Sequence, residues 1–184
     1  KIRQQLGVDL QPWRTQGDHL LICLQRNGGW SMGGKDLVSW AVETIQTLRR
    51  HSTRRIVLRG HPGDKGSAQD MKRIQQLCLN SGIDRVELSS PTTELTQDLK
   101  NCWAAVNYNS SPVVGAAIEG VPIFVTDPAN SQCADVANTD ISQIESPIMP
   151  DRQRWVERLA MSHWNFDELK SGECWHHMRQ YVKL

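Results

Sequence analysis

Residues 102–125, CWAAVNYNSSPVVGAAIEGVPIFV, decide the fold. This stretch begins with an apolar run, passes through the turn Asn109-Ser110-Ser111 into a run of small residues, and returns to an apolar run after Gly120. Two apolar runs joined by a short helix are typical of a βαβ unit with parallel strands. A strand that ends in serines at the start of a helix also favours an anion there, because the first N–H groups of the helix have no partners within it.

The same alternation of strand and helix extends over the preceding part of the chain. Further apolar runs lie at 19–25, 54–59 and 85–88, and helical patterns lie at 36–50, 67–80 and 94–101. Together they predict an α/β protein with a Rossmann-like three-layer α/β/α architecture and a mostly parallel sheet of about five strands. We expect residues 1–18 to be a linker or the remnant of a preceding segment, and 19–184 to form one domain whose C-terminal helices, 151–184, pack back on the sheet.

The composition excludes several classes of protein. The 184 residues include 21 Lys and Arg against 20 Asp and Glu, which argues against a general nucleic-acid-binding protein. No apolar run approaches the ~20 residues of a membrane-spanning helix, so no transmembrane segment is expected. The five cysteines are widely spaced and form no CxxC pair, which indicates reduced thiols and a cytoplasmic protein.

Polar and glycine-rich turns follow several of the predicted strands. In an open parallel sheet, ligands bind beyond the carboxyl ends of the strands, so these turns are expected to share one edge. Among them, His61 precedes a proline, which restricts it to an extended conformation and directs its imidazole out of the sheet. The predicted binding residues are Gly28, Gly29, Arg59, His61, Pro62, Asn109, Ser110, Ser111 and Asp127.

Each of these features also has a purely structural interpretation. His61 would then be a turn histidine without a ligand, and Ser110 and Ser111 would cap the following helix. Residues 29–35, GWSMGGK, nearly fit the phosphate-binding pattern GxxxxGK[ST], but Asp36 replaces the hydroxyl that would bind magnesium. A glycine turn before a helix capped by Asp36, or a glycine loop that lines a sugar or phosphate site, are the alternatives.

A metal site is not expected. Cys174, His176 and His177 are close in sequence, but adjacent histidines on a helix point in different directions and no partner cluster accompanies them.

In order and placement, His61-Pro62 and Ser110-Ser111 resemble the HP and serine motifs of bacterial sialyltransferases and the related capsule Kdo transferases. Those motifs lie in the C-terminal, nucleotide-binding domain of GT-B-type glycosyltransferases, and the resemblance covers residues 19–127. It implies that both motifs hold the CMP part of a CMP-activated sugar at its phosphate, and that His61 is the catalytic residue that acts on the leaving CMP. Residues 151–179 resemble tails of uncharacterised glycosyltransferase-like proteins of marine bacteria and phages.

Two departures from the GT-B pattern limit what this resemblance implies. Gly115 lies where many GT-B donor domains carry a ribose-binding glutamate, and the acidic tripeptide that supplies the sialyltransferase catalytic acid is not found. We therefore expect a donor-binding domain that needs a second Rossmann-like domain or a partner subunit, an unknown glycan acceptor and no cofactor besides the nucleotide-sugar substrate. The alternatives are a non-catalytic nucleotide- or glycan-binding module and a P-loop-like phosphotransferase.

Overall fold

A parallel sheet of five strands organises the chain. The computed structural model describes residues 7–182, and the strand order is β3-β2-β1-β4-β5, with every neighbouring pair parallel. The strands are β1 His19–Cys23, β2 Arg55–Arg59, β3 Val86–Leu88, β4 Cys102–Asn107 and β5 Ile123–Val125. The sequence-based prediction of a Rossmann-like α/β fold with about five strands is confirmed.

The central strands are apolar because they are covered on both faces. Every residue of β1 and β4 is buried, and such continuous apolar runs are characteristic of parallel sheets. The register pairs Cys23 with Arg59 on one side and with Asn107 on the other. These three residues therefore lie at the same level, and the turns that follow them share the carboxyl edge of the sheet.

Helices connect the strands. They are α1 Leu37–His51, α2 Ser67–Asn80, α3 Leu95–Asp98 and α4 Pro112–Ile118. The start of α1 follows the sequence-based prediction, because Asp36 Oδ2 accepts hydrogen bonds from Ser39 N at 2.8 Å and from Ser39 Oγ at 2.9 Å. These bonds favour the charged carboxylate and lower the pKa of Asp36. Three basic residues in the last turn of α1 complement the negative end of its dipole: Arg49, Arg50 and His51.

The chain divides into two compact units. The larger unit is Leu10–Asp151, which contains the sheet; the smaller comprises the described residues of the two termini, 7–9 and 152–182. Within the larger unit, residues 10–18 are hydrogen-bonded to the connections of β4, for example from Arg14 N to Gly120 O at 2.7 Å. Gly120 has a φ of 76°, and a Cβ there would lie 2.0 Å from Pro12 O, so only glycine fits at this crossing.

The smaller unit contains three short helices, α5 Gln153–Met161, α6 Phe166–Lys170 and α7 Glu173–Met178. A reciprocal capping box starts α6: Asn165 Oδ1 accepts from Glu168 N, and Glu168 Oε2 accepts from Asn165 N, both at 2.8 Å. The imidazole of His177 lies between two aromatic rings, with its centroid 5.3 Å from that of Trp164 and 5.4 Å from that of Tyr181, and both pairs are tilted. Over residues 7–182, no helix is long and apolar enough to cross a membrane.

All five cysteines carry free thiols. Burial raises the pKa of Cys23, Cys102 and Cys133 to about 12, because the thiolate would be desolvated there. Burial likewise raises the pKa of Cys78, whereas Cys174 in the smaller unit is only half-buried.

Candidate functional site

The carboxyl edge of the sheet has a topological switch point between β1 and β4. After β1 the chain continues to β2 and β3 on one side, and it then crosses to β4 and β5 on the other. In open α/β sheets, ligands bind at the carboxyl edge beside such a switch. One turn at this edge follows each of the five strands. Every sequence-predicted site residue lies in one of these turns, except Arg59, which is the last residue of β2.

A cleft of about 240 Å³ lies beyond the ends of β2 and β3. Residues from both connections line it, together with the first turn of α2. Two of the predicted residues that line the cleft are His61 and Pro62, and Arg59 lies at its base. Lining residues that the sequence analysis did not select include Lys65, Ser67, Ser89 and Ser90.

Hydrogen bonds within the turn fix His61. Its backbone N donates to Ser67 Oγ at 2.9 Å, and its Nδ1 accepts from Gly63 N at 3.0 Å. The neutral imidazole therefore carries its proton on Nε2, which can donate to a ligand. The close approach of Ser67 needs a glycine before His61, because a Cβ on Gly60 would lie 2.3 Å from Ser67 Oγ.

Arg59 is paired inside the protein. Its Nη1 donates to Asp98 Oδ2 at 2.5 Å and to Thr93 O at 2.8 Å, and Ser89 Oγ donates to the same carboxylate at 2.7 Å. The two side chains of the ion pair are only 16% and 9% exposed. Arg59 thus contributes a neutralised pair to the base of the cleft, and the exposed cation at its wall is Lys65.

The connection after β1 contacts the His61 turn. Arg26 Nη2 donates to Gly63 O at 3.1 Å, and Asn27 N donates to Asp64 Oδ2 at 3.2 Å. Gly28 and Gly29 follow directly in this connection, at the same edge of the sheet but outside the lining of the cleft. The structure therefore places the glycine-rich connection beside the His61 turn, as the sequence analysis expects.

On the other side of the switch point, Asn109 and Asp127 are brought together. Asn109 Nδ2 donates to Asp127 Oδ2 at 2.8 Å and to Ser31 O at 3.1 Å, and its backbone N donates to Gln25 Oε1 at 2.9 Å. Gln25 Nε2 in turn donates to Ser31 Oγ at 3.1 Å. These polar groups satisfy one another, so the junction of the β1 and β4 connections is a closed network.

The two serines after β4 have different partners. Ser110 accepts hydrogen bonds from the Nδ2 of the fully buried Asn107, at 2.6 Å to its carbonyl oxygen and 2.9 Å to its Oγ. Ser111 occupies the N-cap position of α4, but its side chain makes no capping hydrogen bond. Capping by the Ser111 hydroxyl, one of the interpretations of the sequence, is therefore wrong. The helix has seven residues, and Pro112 supplies no N–H in its first turn.

The His61 cleft and the Ser110-Ser111 turn are neighbours at one edge but do not touch. Strand β1 lies between β2 and β4, so the carboxyl ends of β2 and β4 are two strand spacings, about 10 Å, apart. The sequence holds a signal that was missed: the tripeptide Ser-Ser-Pro occurs twice, after β3 at 89–91 and after β4 at 110–112. The first occurrence, not the second, shares the cleft with His61.

The segment that resembles a P-loop forms a tight turn before α1. Residues Trp30–Met32 make a 3₁₀ turn, Met32 is fully buried, and Trp30 is 94% exposed. Lys35 precedes the Asp36 cap, and its Nζ lies 5.6 Å from the centroid of the Tyr108 ring. The structure thus shows the glycine turn and the helix capped by Asp36 that the sequence analysis gave as an alternative to a P-loop.

Within residues 7–182, no group of three or more His, Cys, Asp or Glu side chains is arranged to hold a metal ion. No protein-family model and no curated protein sequence matches this chain.

Proposed function

We propose that the larger unit is the donor-binding domain of a GT-B-like glycosyltransferase and that it binds a nucleotide-activated sugar, with a CMP-sugar favoured. The observation that carries this proposal is the cleft between the ends of β2 and β3, where the Nε2 proton of His61 is available beside Lys65. A hydrogen-bond donor and a cation in a small cleft at the carboxyl edge suit a phosphate group.

In this proposal the cleft acts on the leaving group. When the bond between the sugar and the phosphate oxygen breaks, negative charge accumulates on the CMP phosphate. His61 Nε2 donates to that oxygen, and Lys65 lowers the energy of the charge through space. Donors that are already oriented, as the Gly63 N–H orients the imidazole, need little reorganisation during the reaction. The acceptor and the group that deprotonates it belong to a second domain or a partner subunit.

The Ser110-Ser111 turn has a second role in this proposal. Because the ends of β2 and β4 are about 10 Å apart, a single phosphate group in the His61 cleft does not reach this turn, and we assign the turn to the remainder of the nucleotide-sugar. Ser111 is exposed and contributes its hydroxyl to this part of the ligand, whereas Ser110 Oγ already accepts a hydrogen bond from Asn107.

Isothermal titration with CMP and a CMP-sugar tests the proposal, with UDP and GDP as comparison nucleotides. Loss of a hydrogen bond to a charged group costs about 1.5–3 kcal/mol, so His61→Ala is expected to weaken CMP binding by about 10- to 100-fold. The control is His51→Ala, which removes an exposed histidine at the end of α1. Undetectable binding of every nucleotide by the wild-type protein, or equal affinities of wild type and His61→Ala, would contradict the proposal.

A non-catalytic nucleotide- or glycan-binding module is the second candidate. It is favoured by α4, which carries no carboxylate; Gly115 occupies its middle and Glu119 follows its end. Hydrolysis or transfer of a CMP-sugar, measured with a mixed set of acceptors, separates the two candidates. Turnover that is abolished by His61→Ala would reject the binding module.

A further inference from the structure

Trp30 is the most exposed large apolar side chain of the described residues, at 94% of its accessible surface. A tryptophan normally buries 150–250 Å² in a protein core or an interface. Trp30 lies at the carboxyl edge of the sheet, in the connection that follows β1, next to the switch point. Both its exposure and its position suggest that its partner is a ligand.

The residues around Trp30 are held in place. On its C-terminal side, Met32 is fully buried, and the backbone oxygen of Ser31 accepts a hydrogen bond from Asn109 Nδ2 at 3.1 Å. On its N-terminal side, Gly29 N donates to Arg26 O, and Gly28 has a φ of 69°. The exposed indole is therefore carried by an anchored 3₁₀ turn, which fixes the position of its backbone at the edge of the sheet.

This turn lies next to the groups that the proposed function assigns to phosphate. Asn27, three residues before Trp30, donates from its backbone N to Asp64 in the His61 turn. Three residues of extended chain span at most about 11 Å. A group attached to a phosphate in the His61 cleft can thus reach the indole when it runs along the connection.

The chemistry beside Trp30 distinguishes a base from a sugar. Sugars are recognised mainly through hydrogen bonds to their hydroxyls. Near this turn, however, Gln25 Oε1 accepts from Asn109 N, Gln25 Nε2 donates to Ser31 Oγ, and Asn109 Nδ2 donates to Ser31 O. Trp30 itself offers the face of an aromatic ring. Stacking on such a face suits any nucleobase, since every base has a π surface.

We propose that Trp30 is the stacking platform for the nucleobase of the nucleotide whose phosphate occupies the His61 cleft. This inference rests on the proposed function and deepens it by assigning a residue to the base. Because stacking is indifferent to the identity of the base, Trp30 provides affinity without selecting cytosine over uracil.

Titrations with three probes test this assignment: CMP, UMP and ribose 5-phosphate, which has a phosphate but no base. Trp30→Ala is expected to weaken CMP and UMP binding by about tenfold or more and to leave ribose 5-phosphate unchanged. Trp30→Phe retains an aromatic face and is expected to recover most of the affinity. The matched control is Trp175→Ala, which removes another exposed tryptophan, in the smaller unit, and is expected to change none of the three affinities.

The outcomes separate this inference from the function on which it rests. If His61→Ala weakens CMP binding while Trp30→Ala binds CMP as the wild type does, the stacking role is overturned and the proposed function stands. An equal loss for CMP and ribose 5-phosphate in Trp30→Ala also overturns it, because the turn would then act through the phosphate site. If the wild-type protein binds none of the probes, both proposals fail. Thermal denaturation of each variant confirms that it is folded.

Discussion

The two Ser-Ser-Pro turns, 89–91 after β3 and 110–112 after β4, are identical in sequence and opposite in environment. In the first turn, Ser89 bonds to Asp98 below it, while Ser90 is exposed and forms part of the wall of the His61 cleft. In the second turn, Ser110 accepts both hydrogen bonds from a fully buried asparagine, and the neighbouring Asn109 bonds to residues of two other connections, those after β1 and β5.

The difference shows that a motif does not make a site by its residues alone. Both turns offer hydroxyls at the carboxyl edge of the sheet, but the connections of β4 and β5 use their polar groups to hold one another. The connections of β2 and β3 keep their ion pair at the base and leave a cleft above it. We therefore expect variants of the mutually bonded polar groups on the β4 and β5 side, the closed side, to change stability. Variants at the wall of the cleft on the β2 and β3 side, the open side, are expected to change binding.

The base of the open side provides the largest expected effect. Arg59→Ala leaves the carboxylate of Asp98, which is only 9% exposed, without its cation, so we expect a loss of about 3 kcal/mol in the free energy of unfolding. The control Arg55→Ala breaks an exposed ion pair with Glu87 and is expected to cost less than about 1 kcal/mol. Urea denaturation measures both. Similar small losses in the two variants would show that the cleft has no rigid base.

The closed side is tested by Asn107→Ala. This change removes two hydrogen bonds to Ser110 in a fully buried position, and we expect about 2 kcal/mol of destabilisation. Ser90→Ala, at the exposed turn, is expected to change the stability by no more than about 0.5 kcal/mol. If chemical denaturation gave the same midpoint for both variants, the result would contradict the claim that the turn after β4 contributes more to stability than the turn after β3.

A third prediction concerns Asp36, which caps α1 at the end of the connection that follows β1. Asp36→Ala is expected to cost about 1 kcal/mol, and Asp36→Ser, which can also cap, is expected to cost much less. Because hydrogen bonds from Ser39 lower the pKa of Asp36 in the folded state, the cap stabilises the protein above the unfolded pKa of the residue, and this contribution is lost as the pH falls through the folded pKa.

Stability measured between neutral and acidic pH checks this third prediction. The difference between wild type and Asp36→Ala is expected to shrink as the solution is acidified. A difference that stays constant to the lowest pH would mean that the charge of Asp36 contributes nothing.

The smallest expected effect belongs to the wall of the open side. Lys65→Ala removes an exposed charge, and exposed charges contribute about 0.2–1 kcal/mol, so CMP affinity is expected to fall by about 1.4- to fivefold. The loss is expected to diminish at high salt, because exposed charges are screened. Lys100→Ala, at an exposed position before β4, is the control. Isothermal titration at two salt concentrations gives the result, and an equal loss in both variants would remove Lys65 from the site.

Local patterns account for the part of the molecule that could be predicted from the sequence. Apolar runs located the five strands, although β1 ends at Cys23 rather than at Gln25, and Asp36 was identified as a cap from its position before an apolar helical pattern. His61 reached a cleft because the carboxyl ends of parallel strands must meet at one edge.

The partners of the polar residues could not be predicted in the same way. Arg59 is one of the predicted binding residues, and it lies at the cleft, but its pairing with Asp98 joins residues that are 39 positions apart. Asn109 reaches Gln25 across 84 positions. Such bonds depend on strand order, which the runs themselves do not encode. For the same reason the first Ser-Ser-Pro turn was overlooked: only the order β3-β2 brings it beside His61.

The buried thiols of the sheet, Cys23 in β1 and Cys102 in β4, can report how often the central strands separate. With a pKa of about 12, the Cys23 and Cys102 sulfurs are ionised in roughly one molecule in ten thousand at pH 8, and a dye that reacts with thiolates meets neither of them in the folded state. The half-buried Cys174 reacts first. Labelling of Cys23 or Cys102 then records a separation of the central strands, so the rate at which the dye reaches these two thiols follows how often the sheet comes apart under native conditions.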